Sequence, residues 1–177
     1  MIKDIIFVII ILFILFFMII NTKIRIWSVI TKQWNIFLNF RTKKHSCKDN
    51  ITFYYFPIVV SFFLSFIYCT NIQNNMIDIL ITVYSILFSL LIGMISILIT
   101  YKKENSVDDE VRKETIITGI SNVIISGVII IVLLVFKSKI ITCKIIIKIL
   151  SFILYYCIIK SVLYVLLMLK RFMATIE

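Results

Sequence analysis

Three glycines occur in 177 residues, Gly93, Gly119 and Gly127, each inside a long apolar run. Walker-type phosphate loops and dinucleotide-binding fingerprints both need clustered loop glycines, so neither motif is present. One histidine, His45, excludes an HExxH site and any two-histidine metal centre. The four cysteines, Cys47, Cys69, Cys143 and Cys157, have no CxxC spacing and fall at different depths along the chain, which speaks against a disulfide or a thiolate metal site. His45-Ser46-Cys47 sits in a lysine-rich stretch without a third orienting group and reads as a solvated loop rather than a nucleophile with its base. The nine acids are superficial, leaving no acid/base pair within an apolar run. No catalytic residue, metal ligand or cofactor is expected, and the chain does not read as an enzyme.

Apolar residues are abundant instead: 62% of the chain is hydrophobic, 16% is charged, and mean hydropathy is +1.10. A water-soluble fold has too little interior to hide that surface. The apolar residues come in blocks that match the roughly 20 residues needed to cross hydrocarbon. The expected fold is all-α, a polytopic transmembrane helix bundle with four spans and a fifth at the N-terminus. Residues 1–50 form an anchor followed by a basic segment, and residues 51–177 form a four-helix transmembrane domain. The net charge of +10 sits at the ends of apolar blocks, which fits orientation in a bilayer and gives no reason to expect a nucleic-acid partner.

Ile5 to Ile20 is uninterrupted and has no small residues before a cleavage point, so it reads as an uncleaved anchor. In residues 21–50, Ile26, Trp27, Ile30, Trp34, Phe37 and Leu38 recur every three or four positions among lysines and asparagines. Two readings are open there, a helix lying in the interface or a basic juxtamembrane loop. The second span is expected from Thr52 to Cys69, opening on the aromatic cluster Phe53 to Phe56 with Pro57 in its first turn. The third is expected from Asp78 to Thr100. The fourth starts inside a loop at Ser106-Val107-Asp108-Asp109, a capping-box-like sequence, and continues through Phe136. The last runs from Ile149 to Leu169.

Two polar patterns stand out against this background. Asp78, Thr82, Ser85, Ser89, Gly93, Ser96 and Thr100 share one helical face, and Ser85, Ser89 and Gly93 form a small-residue seam suited to close helix packing. Lys160 interrupts the last span near its middle, where a charge costs at least about 2.5 kcal/mol on insertion scales. Depth along the helices places Ser89, Asn122, Ser126 and Lys160 at comparable levels, so they are expected to form one intramembrane polar cluster, with Tyr156 and Tyr164 flanking the lysine. The competing reading has Lys160 snorkelling to an interface.

The runs DILITVYSILFSLLIGMIS (78–96), KETIITGISNVIIS (113–126) and LLMLKRF (166–172) resemble small uncharacterised bacterial polytopic membrane proteins. Some similar proteins accompany retrons and other antiphage systems as membrane effectors. The resemblance covers roughly residues 51–175 and carries no catalytic motif. It implies an effector that damages the cell's own membrane after infection, in contact with the lipid bilayer and acting as a homo-oligomer or with partner membrane or defence proteins. The residues themselves leave open a subunit of a larger membrane assembly, or a small ion or solute channel built around Lys160, although no internal repeat or broken helix marks a transporter.

Thirteen basic residues fall in 21–50, 101–115 and the tail, against five in the segments between. The positive-inside rule then places the first set, and the C-terminus, on the cytoplasmic face of the inner membrane. A reporter fused at Ser106 is expected to be active only when it requires the cytoplasm; activity confined to the external side overturns this topology.

Overall fold

The computed structural model describes residues 26–36, 51–67, 74–100, 106–138 and 144–176. The expected span 5–20, together with His45, Cys47, Cys69 and Cys143, lies outside the described residues. Among those described, five helices and no strand are present: α1 (Ile26–Ile36), α2 (Ile51–Ile67), α3 (Asn74–Thr100), α4 (Ser106–Lys137) and α5 (Lys144–Ile176). Isoleucine-rich text is poor helix-forming text in water because β-branching restricts χ1. In hydrocarbon no solvent can satisfy the backbone, so a helix is the one local solution for a single apolar segment.

The helix limits follow local chemistry. α4 begins at Ser106, the first residue of the capping sequence, and stops at Lys137. Its first turns are braced by Asp109, which pairs with Arg112 and, at 2.7 Å, with Lys113. α3 starts four residues ahead of Asp78, and α5 extends beyond both of its expected ends. Pro57 sits in the first turn of the α-helical stretch Phe56–Phe62, but a π-helical turn, Ile51–Tyr55, precedes that stretch and a second, Phe63–Ile67, follows it. Proline crowds the carbonyl four residues before it, and the wider turn ahead relieves that crowding.

Three helices, α3, α4 and α5, have spans long and apolar enough to cross a bilayer: Met76–Thr100, Asp109–Lys137 and Ile145–Met173. α2 is apolar but shorter, so the described residues hold three helices of spanning length rather than the four expected. The chain is nonetheless a membrane protein in its composition and its helices.

Successive helices alternate in direction. Lys137 Nζ meets Asp78 at 2.7 Å, joining the start of α3 to the end of α4. Arg171 Nη2 meets Glu114 at 3.0 Å, joining the start of α4 to the end of α5. α2 lies antiparallel along α5, with Phe53 against Tyr164, Phe66 against Phe152, and Ser65 Oγ donating to the Lys148 carbonyl at 2.7 Å. The starts of α2 and α4 and the ends of α3 and α5 therefore share one end of the bundle. α4 is central, packing against α1, α3 and α5.

Burial is inverted relative to a water-soluble protein. Gln33, Ser61, Ser65, Thr115, Thr118, Ser121, Asn122, Ser126, Ser151 and Ser161 are all buried, whereas large aliphatics such as Ile79, Leu90, Ile97, Ile145 and Leu166 are exposed. With lipid outside, an exposed isoleucine costs nothing and an inward serine avoids hydrocarbon.

The seam on α3 packs against none of the other described helices. Ser85, Ser89 and Gly93 are exposed, and a Cβ built on Gly93 meets nothing within 4 Å. α3 instead turns Ile77, Tyr84, Leu91, Ile95 and Leu98 inward. Close approach is supplied by Gly119 of α4, where an added Cβ meets Ile95 Cγ1 at 2.9 Å and Met168 Cε at 3.1 Å. Bulk there wedges α4 away from both neighbours. Gly119→Leu is expected to cost about 1–3 kcal/mol by overpacking and to lower the yield of folded monomer in detergent. Gly93→Leu leaves that yield unchanged; equal sensitivity of the two sites contradicts this arrangement.

Candidate functional site

Lys160 lies on the α5 face that meets α2. Its Nζ donates to Tyr156 Oη at 3.0 Å and stands 4.9 Å from the Tyr54 ring centroid, 5.2 Å from Tyr156 and 5.7 Å from Tyr164. Tyr156 and Tyr164 reach it because positions four residues before and after share one helix face. Tyr54 comes from the first turns of α2, and its hydroxyl lies against that of Tyr164. The Tyr54 and Tyr164 rings supply negative potential to the ammonium, each such contact contributing about 0.5–2 kcal/mol according to its desolvation, while Tyr156 holds it through its hydroxyl. No carboxylate among the described residues pairs with Lys160.

α1 closes the other side of this box. Its buried residue is Gln33, while Trp27, Ile30 and Trp34 are exposed. Ser121 of α4 approaches Gln33 Oε1 at 3.4 Å and donates to the Ile117 carbonyl at 2.9 Å, and Trp34 packs against Tyr54 with ring centroids 4.6 Å apart. Between α1, α2, α4 and α5 a cavity of about 240 Å³ remains, with Lys160, Gln33, Ser121, Tyr54 and Tyr164 in its wall.

The expected polar cluster is thus divided among three places. Lys160 faces the cavity. Asn122 and Ser126 are fully buried on the α4 face that continues from Gly119, and neither the Asn122 amide nor the Ser126 hydroxyl has a hydrogen-bond partner among the described residues. Ser89 is on the exposed face of α3, bonded back to the Ser85 carbonyl at 3.1 Å. Equal depth brought these residues to one level, but helical phase turned Ser89 away from the others. Gln33 and Tyr54 were not expected beside Lys160. Gln33 is one amide among lysines and asparagines, and Tyr54 reads equally well as part of an aromatic belt; only the docking of α1 and α2 distinguishes them.

At the end shared by the starts of α2 and α4, Arg171 binds Glu114 and donates to Thr118 Oγ1 at 3.1 Å, while Arg112 donates to the Leu98 carbonyl at 3.4 Å. These contacts lock α3, α4 and α5 together. Cys157 is a free, half-buried thiol, and among the described residues no three of His, Cys, Asp and Glu gather in a metal-holding group.

Together these features define a helical membrane protein with an inward polar core and a lysine-centred side pocket. No family model, curated protein or solved structure matches the chain.

Because Asn122 is buried with both amide atoms unpartnered among the described residues, it weakens the bundle relative to an apolar residue of similar shape. Asn122→Leu is expected to stabilise the purified protein by about 1–2 kcal/mol in denaturing-detergent titrations. A loss of stability of that size would mean that the amide is satisfied in the native state.

Proposed function

We propose that the chain is a multi-pass protein of the cell inner membrane that works on or within that membrane, as an effector or as a subunit of a larger membrane assembly. The observation that carries this reading is the burial pattern: many serines, threonines, Gln33 and Asn122 point inward while large aliphatics cover most of the outside, so that, apart from the hydroxyl face of α3, the surface of the described helices suits lipid. In this reading α2 is a fourth span beside α3, α4 and α5, and residues 5–20 form a fifth. The basic-residue asymmetry puts the start of α4 and the C-terminus in the cytoplasm. The resemblance to membrane effectors of antiphage systems favours an effector that permeates its own membrane on infection.

A second reading, an ion or solute channel, is favoured by the exposed face of α3. Thr82, Ser85, Ser89, Ser96 and Thr100 lie on it, each hydroxyl bonded back to a carbonyl of its own helix. A single copy has its polar groups in three separate places, so a pore along this face needs several copies.

Expression from a tight promoter, with the genomic neighbours supplied, is expected to depolarise the membrane and arrest growth. Ser89→Leu and Gly93→Leu should suppress depolarisation without reducing folded monomer if copies assemble through α3. Unchanged potential and growth with the neighbours present rejects the effector reading.

A further inference from the structure

The cavity beside Lys160 is rich in donors and lacks any acid. Its wall offers the Lys160 ammonium, of which one N–H is directed to Tyr156 Oη, and the Gln33 amide. Gln33 is 3% exposed, its Oε1 faces Ser121, its amide lies against the Tyr164 hydroxyl, and its buried Nε2 makes no well-formed hydrogen bond among the described residues. Among the described residues the amide N–H groups have at most the Tyr164 hydroxyl beside them and the ammonium has no carboxylate, so both favour an acceptor with negative charge. The rest of the lining is apolar, including Ile30, Trp34, Ile124 and Ile125. Ile30 and Trp34 are also exposed at its rim, so the cavity opens onto the surface that carries the bundle's other outward aliphatics. The Trp34 and Tyr54 pair has the character of side chains that sit at headgroup level.

We propose that this pocket binds one anionic phosphate group bearing acyl chains, the headgroup of an acidic phospholipid. The phosphate oxygens accept from Lys160 Nζ and Gln33 Nε2, and an acyl chain follows Ile30, Ile124 and Ile125 outward. A zwitterionic lipid fits less well because its own ammonium would approach Lys160 where no carboxylate is present to receive it. The Tyr54 and Tyr164 rings and the Tyr156 hydroxyl hold the lysine in place, leaving the remaining ammonium N–H groups for the ligand. This binding requires only that the bundle is embedded in a membrane, so it stands or falls separately from any depolarising activity.

The chain has two tryptophans, so Trp27→Phe leaves Trp34, in the pocket wall, as the sole tryptophan reporter. The full-length Trp27→Phe protein is reconstituted in phosphatidylcholine vesicles carrying increasing fractions of brominated phosphatidylglycerol or brominated phosphatidylcholine. Phosphatidylglycerol is expected to quench Trp34 at an about tenfold lower mole fraction, the ratio that one charge-assisted hydrogen bond confers. Lys160→Met and Gln33→Leu should each remove most of that preference, whereas Lys148→Met, an exposed lysine on the same helix, should keep it. Excess inorganic phosphate that leaves the quenching unchanged assigns the phosphate to the lipid; reversal of the quenching assigns the same anion site to soluble phosphate. Equal quenching by the two lipids overturns the proposal, and this comparison needs no pocket variant to fold. Full preference retained in a folded Lys160→Met protein overturns it as well.

Discussion

Hydrocarbon offers no hydrogen-bond partner, and the architecture depends on that absence. Each backbone N–H and C=O within the bilayer must be satisfied by its own segment, which limits the chain to helices. The same rule extends to side chains. Hydroxyls of Ser61, Thr82, Ser85, Ser89, Ser96, Thr100, Thr115, Thr118 and Ser121 all donate to a carbonyl four residues earlier. Such back-bonding lets a serine lie on either face of a membrane helix, which is why a polar stripe alone does not reveal which face is buried.

α4 resolves that ambiguity for the bundle. Its inward face holds Thr115, Thr118, Gly119, Asn122 and Ser126, a strip of small and polar groups that admits Ile95 from α3 and Met168 from α5. Large side chains of α3 and α5 thus fit against small ones of α4. The seam on α3 is left outward because a small face packs best against a large one, and α4 already provides the small face. Below Gly119 the core becomes aliphatic, with Ile129, Leu133 and Leu154 fully buried beside Ile77 and Tyr84. At the opposite end the Arg171, Glu114 and Thr118 contacts close the bundle.

Lys160 shows how a costly charge is accommodated without a carboxylate among the described residues. Three tyrosine rings from two helices surround its ammonium, and α1 shields the same region with Gln33 inward and its tryptophans outward. Gln33 is the one buried side chain described in α1, while Thr31, Lys32 and Asn35 are exposed along with Trp27, Ile30 and Trp34. The tryptophans and the lysine on the open side suit a helix resting against the bundle at an interface, where both apolar and charged groups are accommodated.

Sequence alone determined the helical membrane class, the long apolar segments, and the start of α4 at Ser106, because these depend on local periodicity, capping chemistry and the thickness of hydrocarbon. It also paired Lys160 with Tyr156 and Tyr164, since neighbours at four residues share a face whatever the tertiary fold. The outward turn of Ser85, Ser89 and Gly93 and the close packing at Gly119 needed tertiary structure. So did the separation of Ser89 from Asn122, Ser126 and Lys160. Residue counting gives depth along a helix axis, but rotation about that axis is set by which neighbour offers the complementary surface, and only the packed bundle contains that information.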